Sequence, residues 1–282
     1  LGPDTDPKEE ATEAKVRPRI TAIVGDAPFR IDWMSVYRFR CARLNRFVHN
    51  RVIFAGDSAH VVSPFGARGG NGGIQDVDNL GWKLALVLQG KASPELLESY
   101  NEARVEAADE NMFNSACATN FMTPRSSIER LFRDQVLALA ARHPFARKLI
   151  NSGRLSQPCV LSGSSLQTSG SAPLSPGHAL LDAPLTGRAG PAWLVTEAQG
   201  RFTLVTANDQ PLPDITGIER IGIDQAESCY PCFADSEGCF KARYGTAHIY
   251  LFRPDGHVCA VFDTPDVDAI VTAHNRAMGA TQ

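Results

Sequence analysis

The chain has 282 residues, 43% hydrophobic and 21% charged, with a formal net charge of -3, the balance of a globular protein with a substantial core. That charge gives no electrostatic reason to expect nucleic acid or an anionic membrane as partner. No apolar run is long enough to span a bilayer, and no secretory signal pattern is present. Seven cysteines, an odd number without framework spacing, read as mostly reduced thiols of a cytoplasmic protein.

The opening, LGPDTDPKEEATEAK, lacks an initiator Met, is polar and holds two early prolines. It reads as an internal loop or a cut end, so a longer parent is expected. RPRITAIVGD and WMSVYRFRCARL have the β-branched, aromatic and alternating character of strands. Val52 to Ala55 is a short apolar run stopped by Gly56, the pattern of a central strand covered on both faces. Ile74, Val77, Leu80, Leu84 and Leu88 recur at helical spacing and predict one apolar helix face, with Gly90 as its stop.

Ser93-Pro94-Glu95 starts a second helix, with Ser as N-cap, Pro at the first helical position and an acid in the first turn. Thr123-Pro124 opens a third, with Ile128, Phe132, Val136, Leu139 and Ala140 on one face, and His143-Pro144 breaks it before a short helix. Residues 156–177 are rich in Ser, Gly and Pro without a sustained period and read as a linker. Beyond it AWLVTEA, RFTLVTA, ERIGID, HIYLFRP and HVCAVFD read as strands, CFKARYG and DVDAIVTAHNRAM as helices, and Pro254-Asp255-Gly256 as a hairpin turn. The fold class is α/β, ending in a small α/β domain over residues 178–282.

The chemistry concentrates between Ala55 and Ala85. Gly56 at a strand end lets a ligand approach the backbone. Asp57 then projects from the carboxyl edge of the sheet, where α/β sheets bind ligands. An ionised Asp only accepts hydrogen bonds, so it suits the hydroxyls of a ribose or ribityl chain and repels phosphate. The loop from Gly66 to Gly73 has five glycines in eight positions and leads into a helix start with unpaired N–H groups. A ligand with a polyol arm and an electron-poor ring, such as a flavin, satisfies both halves. A structural glycine turn or a phosphate loop stays open on spacing alone.

RVIFAGDSAHVVSPFGARGGNGGIQDVDNLGWKLALVLQG resembles the second FAD-binding motif of the class A flavoprotein monooxygenases, the aromatic (phenol) hydroxylase family. The matching positions are Gly56-Asp57, Ala59-His60, Pro64, Gly66, Gly69, Asn71, Gly73, Asp76, Asn79-Leu80 and Trp82-Lys83-Leu84. The resemblance implies that Asp57 binds the ribityl hydroxyls of FAD, that the backbone at Gly70 and Asn71 meets the flavin pyrimidine, and that Pro64 lies beside the ring. Gly56, Asp57, Pro64, Gly69, Gly70 and Asn71 are thus the expected cofactor-binding residues, with no catalytic residue assigned. NAD(P)H and O2 are the implied co-substrates and a small aromatic compound the substrate.

Arg68 stands where the family has Gln, and Gly70 where it has Met or Leu. Arg68 either adds positive charge near the ring or is a solvated surface Arg. No G-x-G-x-x-G fingerprint for the FAD pyrophosphate occurs. The expected division is residues 1–47 as the tail of a substrate-binding sheet, 48–92 as the C-terminal part of a glutathione-reductase-type FAD-binding fold, 93–155 as a helical region, 156–177 as linker, and 178–282 as a thioredoxin-like domain, the last on ARYG and RPDGHV. The N-terminal half of the same enzyme is then a partner, with a homodimer left open.

The remaining candidates read as structural. His60 reads as a packing or hydrogen-bonding residue, Asp76 and Asn79 as first-turn and capping contacts, and Trp82-Lys83-Leu84 as helix packing with a surface Lys. Cys229-Tyr230-Pro231-Cys232 has a redox spacing, but it trails ERIGID rather than the central strand RFTLVTA. Cys239, Cys259, His248 and His257 lack the paired knuckles of a zinc site, so no metal is expected. An interaction or oligomerisation module with a vestigial flavin loop is the competing reading, and a thiol oxidoreductase the third.

Overall fold

The computed structural model describes residues 6–150, 157–225 and 229–280. It divides into two compact units, one ending at Arg40 and one beginning at Cys41.

In the first unit, α1 (Pro7–Glu10) starts from an Asp6 side chain that accepts the Lys8 N–H, and α2 (Glu13–Val24) follows. The strand expected in RPRITAIVGD is therefore a helix. A strand needs a partner to satisfy its backbone, and the described residues of this unit form none. The helix satisfies itself locally and adds a Glu13–Arg17 ion pair one turn apart. Neither helix buries a residue. WMSVYRFR, also expected as strand, has no regular structure, and Trp33, Tyr37 and Phe39 are exposed.

In the second unit, β1 (Ala42–Arg43) pairs antiparallel with β4 (His60–Val61), and β2 (Val48–His49) with β3 (Val52–Ile53). The expected central strand at Val52–Ala55 is thus one arm of a two-residue hairpin. Its Val52 is 56% exposed, so it is not covered on both faces. Two long helices follow, α3 (Arg68–Leu88) and α4 (Glu98–Met122). Ser93 caps the 3-10 turn that leads into α4, its hydroxyl accepting the Glu95 N–H. α5 (Ser127–Ala140) begins with a capping box between Ser126 and Glu129, and α6 (Pro144–Ile150) closes the helical part. Of the five residues expected on one face of α5, only Val136 is buried.

The Ser/Gly/Pro-rich stretch expected as a linker is anchored to the fold at several points of its described length; Ser156 lies outside the described residues. Cys159 and Leu161 are buried with Ala103 and Ala107 of α4. The Gly177 and Thr168 N–H groups donate to the Val258 and Cys259 carbonyls. The apolar residues scattered through the stretch anchor it despite its polar composition.

The C-terminal part opens with the hairpin β5 (Pro184–Gly187) and β6 (Gly190–Trp193), then α7 (Leu194–Ala198). AWLVTEA is therefore strand only at its start. Leu194 and Ala198, four apart, are both fully buried, which suits a helical turn rather than a strand. The main sheet combines β7 (Phe202–Thr206), β8 (Ile218–Ile223), β9 (Cys232–Phe233), β10 (Ile249–Phe252) and β11 (Val258–Phe262) in the order β11-β10-β7-β8-β9. β7, β8 and β9 run parallel and β10 and β11 antiparallel to their neighbours. RFTLVTA is thus the central strand. One face packs on α7 and on α8 (Cys239–Tyr244), the other on α9 (Val267–Ala277). The chain is mixed α/β, as expected.

Candidate functional site

Past β3 the chain turns at Gly56, whose φ of +59° favours a residue without a side chain. A Cβ at Gly73 would lie 3.4 Å from the Gly56 Cα, so the strand end and the start of α3 touch backbone to backbone. Asp57 follows in a 3-10 turn over Gly56–Ser58. It is exposed, and among the described residues its carboxylate has no hydrogen-bond or ion-pair partner.

Gly66 at φ +89° and Ala67 at φ +52° lead into α3. The helix begins at Arg68, so Gly69, Gly70, Gly72 and Gly73 lie inside it rather than in a loop before it. Glycine costs a helix interior about 1 kcal/mol each, and packing explains two of the four. A Cβ at Gly72 would meet the His60 ring at 3.1 Å, and Gly73 meets Gly56. At Gly70 there is nothing within 4 Å. The N–H groups of Arg68, Gly69 and Gly70 have no acceptor within the helix, whereas that of Asn71, four residues past the N-cap Ala67, has the Ala67 carbonyl. The Asn71 side chain folds back, its Nδ2 donating to the Ala67 carbonyl at 2.7 Å, and Pro64 is exposed.

One fully buried carboxylate holds these pieces together. Asp76 Oδ2 accepts the Gly56 N–H at 2.8 Å and contacts His60 Nε2 at 2.7 Å; its Oδ1 accepts from Arg104 Nε at 2.6 Å. Arg104 also donates to the Gly72 carbonyl. Burial alone would raise the Asp76 carboxyl, but the hydrogen bond from His60, the charge and hydrogen bond of Arg104 and the Gly56 N–H outweigh it and hold the group below its ordinary value. His60 Nδ1 is buried without a partner, which fits a ring that places its hydrogen on Nε2 and donates to Asp76. Its ring stacks on Phe47 at 5.8 Å. The packing and hydrogen-bonding reading of His60 thus holds, while Asp76 links three elements and goes well beyond a first-turn contact.

Two further readings are corrected. Arg68 is 9% exposed and its Nη1 donates to Asn111 Oδ1 at 3.1 Å, so it is not a solvated surface group. Lys83 is fully buried. Its Nζ donates to Asn79 Oδ1 at 2.8 Å, and Asn79 Nδ2 donates to Asp255 Oδ2 at 2.8 Å in the turn between β10 and β11. Arg253 donates to both oxygens of Asp255. Trp82 meets Phe202 edge-on at 5.6 Å. Burial, then the Arg253 charge, pushes the Lys83 ammonium well below its ordinary value.

An exposed acceptor beside a helix start with free N–H groups is a cradle for a polyol joined to a ring bearing carbonyl oxygens. Residues 2–115 match the FAD binding domain family. The FAD binding domain segment therefore contains the strand turn, the glycine run, Asp76 and Arg104. The chain is 29% identical over 265 residues to the anhydrotetracycline monooxygenase of Streptomyces rimosus, covering 91% of this chain and 49% of that protein. It is 28% identical over 288 residues to the 3-(3-hydroxy-phenyl)propionate/3-hydroxycinnamic acid hydroxylase of Mycolicibacterium gilvum, covering 92% and 50%. The chain thus spans about half the length of the curated relatives it matches. Among solved structures it resembles the flavin-dependent monooxygenase PieE in complex with FAD and substrate, with a TM-score of 0.76 at 21% identity over 99% of this chain and 56% of that one, a likeness of fold. No helix among the described residues is long and apolar enough to cross a membrane.

The residues present fit FAD, by the unpartnered Asp57 carboxylate, the open space at Gly70 and the orphan donors of α3. Asp76 and Arg104 were missed as site-building residues. The signal was there: Gly72, Asp76, Asn79 and Lys83 recur at three- and four-residue steps and form the buried face of α3.

Proposed function

We propose that this chain is the C-terminal portion of an FAD-dependent monooxygenase that hydroxylates a phenolic substrate with NAD(P)H and O2, in the cytoplasm. The observation that carries the reading is the Asp57 and α3 cradle, fixed by Asp76 within a segment that matches the FAD binding domain family. Asp57 accepts hydrogen bonds from the ribityl hydroxyls. Gly69 and Gly70, next to Asn71, present N–H groups to the ring's pyrimidine edge, where the positive end of α3 favours negative charge. Pro64 borders the ring and gives it an apolar wall. Bound there, the flavin supplies hydride acceptance and oxygen activation. The names of the two relatives support an aromatic substrate, and NAD(P)H rests on the family resemblance.

The partner of this portion is the N-terminal half that carries the adenine dinucleotide end of the site. Co-expressing the chain with that half, or expressing the full-length parent, should give a yellow protein whose NAD(P)H oxidation is stimulated by a phenolic substrate. A colourless, inactive full-length protein would sink the reading. The chain by itself is expected to bind FAD weakly; a stoichiometrically yellow preparation would contradict that.

A second reading, an interaction module, is favoured by apolar side chains left in solvent. Ile74, Val77 and Leu88 of α3 and Ile128, Leu131 and Phe132 of α5 are exposed, as on surfaces that bind another polypeptide. The N-terminal half covers them under the first reading and a second copy under this one. Light scattering of the isolated chain separates the two, since a strict monomer at high concentration argues against self-association.

A further inference from the structure

A second cleft, of about 670 Å³, lies in the C-terminal part between the turn of the β5–β6 hairpin and the Cys229–Phe233 segment. Both Cys229 and Cys232 line it. Positions two apart on a strand share a face, so Arg220 and Gly222 of β8 point the same way. The Cys232 sulfur lies over Gly222: a Cβ there would sit 2.9 Å from Sγ. The Cys229 sulfur lies 3.9 Å from Arg220 Nη1. The two thiols are thus gathered on one face of β8, three residues apart in sequence, at the wall of an open cleft, and neither is in a disulfide.

The seven cysteines differ in what surrounds them. Cys159 and Cys259 are buried, and burial pushes both thiols up, that of Cys259 to about 12; neither is a nucleophile in the folded chain. Cys41 and Cys117 are exposed but neither lines this cleft. Cys229 alone combines exposure, a guanidinium at its sulfur and a second thiol on the same wall. The guanidinium also lies over the Tyr230 ring at 5.2 Å and pairs with Asp214 at 3.0 Å, so the cation is held in place beside the sulfur.

We propose that Cys229 and Cys232 form a redox-responsive dithiol whose co-reactant is a small organic disulfide admitted by this cleft. The Cys229 thiolate attacks one sulfur of the disulfide, forming a mixed disulfide and expelling one thiolate. The Cys232 thiolate then attacks the Cys229 sulfur, closing the intrachain disulfide and expelling the second thiolate. The two cysteines lose two electrons, the small disulfide gains them, and the two protons released by the cysteines pass to the departing thiols. Gly222 leaves the room above the sheet that the resolving sulfur occupies. The inference does not depend on the flavin reading, because the cleft and both thiols lie outside the FAD binding domain segment.

The test uses the 282-residue chain, reduced, desalted and exposed to oxidised glutathione, with intact mass and peptide mapping over time. The wild type should lose two hydrogens in a Cys229–Cys232 disulfide and release two equivalents of glutathione. Cys232→Ser should stop at one glutathionyl group on Cys229. Cys229→Ser should slow oxidation at this site at least about tenfold, while circular dichroism shows the fold retained. The proposal is overturned if Cys41 or Cys117 is modified as fast as Cys229, if Cys229→Ser oxidises Cys232 at the wild-type rate, or if wild-type Cys229 keeps its glutathionyl group without resolution.

Discussion

Gly70 and Gly72 sit two residues apart in one helix and should respond oppositely to the same change. Gly70→Ala adds a methyl where there is nothing within 4 Å, so chemical denaturation should show a gain of about 0.5–1 kcal/mol from helix propensity. In the assembled flavoenzyme the same methyl stands where the ring is proposed to lie, so FAD affinity should fall. Gly72→Ala puts its methyl 3.1 Å from the His60 ring and should destabilise the chain. Asp57→Ala should leave stability within about 0.5 kcal/mol, since the side chain is exposed and unpartnered. It should weaken FAD binding in the assembled enzyme by about 1.5–3 kcal/mol, or roughly 10- to 100-fold, the weight of hydrogen bonds to a charged acceptor. Equal FAD affinity in Asp57→Ala would remove Asp57 from the site. Asp76→Asn keeps the shape but leaves Arg104 buried without its anion, a loss of about 3–5 kcal/mol.

At the scale of elements, α3 shows what was legible in the sequence and what was not. Its length and C-terminal stop follow from helical periodicity and Gly90. Its orientation does not, because two stripes run along it and the buried one is the polar stripe of Gly72, Asp76, Asn79 and Lys83. Ile74 is 70% exposed while Lys83 is 0%. A buried Lys is legible only from its partners, and Asp255, which Lys83 reaches through Asn79, lies 176 residues beyond Asn79. The glycine run misled in the other direction, since intrinsic propensity opposes helix there and close packing against Gly56 and His60 overrides it. The motif Gly56-Asp57 through Asn71 was legible because its residues are local. The N-terminal helix was not, since strand composition has no meaning without a strand to pair with. Asp255→Asn leaves Lys83 and Arg253 facing an uncharged side chain, and hydrogen exchange should report faster opening of the second half of α3. Unchanged protection there would show that the Asn79–Asp255 bond does not hold the helix.

At the scale of the whole molecule, the charges inside the second unit set its response to acid. Asp76 and Asp255 are both held below the ordinary carboxylate value, Asp255 well below it, where burial is outweighed first by the Arg253 charge. A depressed folded-state value stabilises the fold fully above about pH 4, the unfolded value, and the stability is lost as pH falls through the folded values. Thermal melting should therefore fall steeply below about pH 4, and Asp76→Asn should flatten that slope. Lys83 adds to the same trend at higher pH. Its value is lowered by burial, so its charge opposes folding at neutral pH, and that cost fades as pH rises toward the unfolded value near 10.4.

The bond from Asn79 to Asp255 also bears on how the chain is made. Synthesis runs from the N-terminus at roughly 5–20 residues per second, so α3 leaves the ribosome well before the hairpin that completes it. During that interval Trp82, Asn79 and Lys83 have neither the Phe202 edge nor the Asp255 carboxylate. Contacts this distant in sequence carry a large loop-closure cost and form late. The helix that carries the cofactor loop therefore waits on the last strands of the chain, and a nascent chain stalled before Asp255 exposes an apolar ring beside a cation, a surface fit for a chaperone.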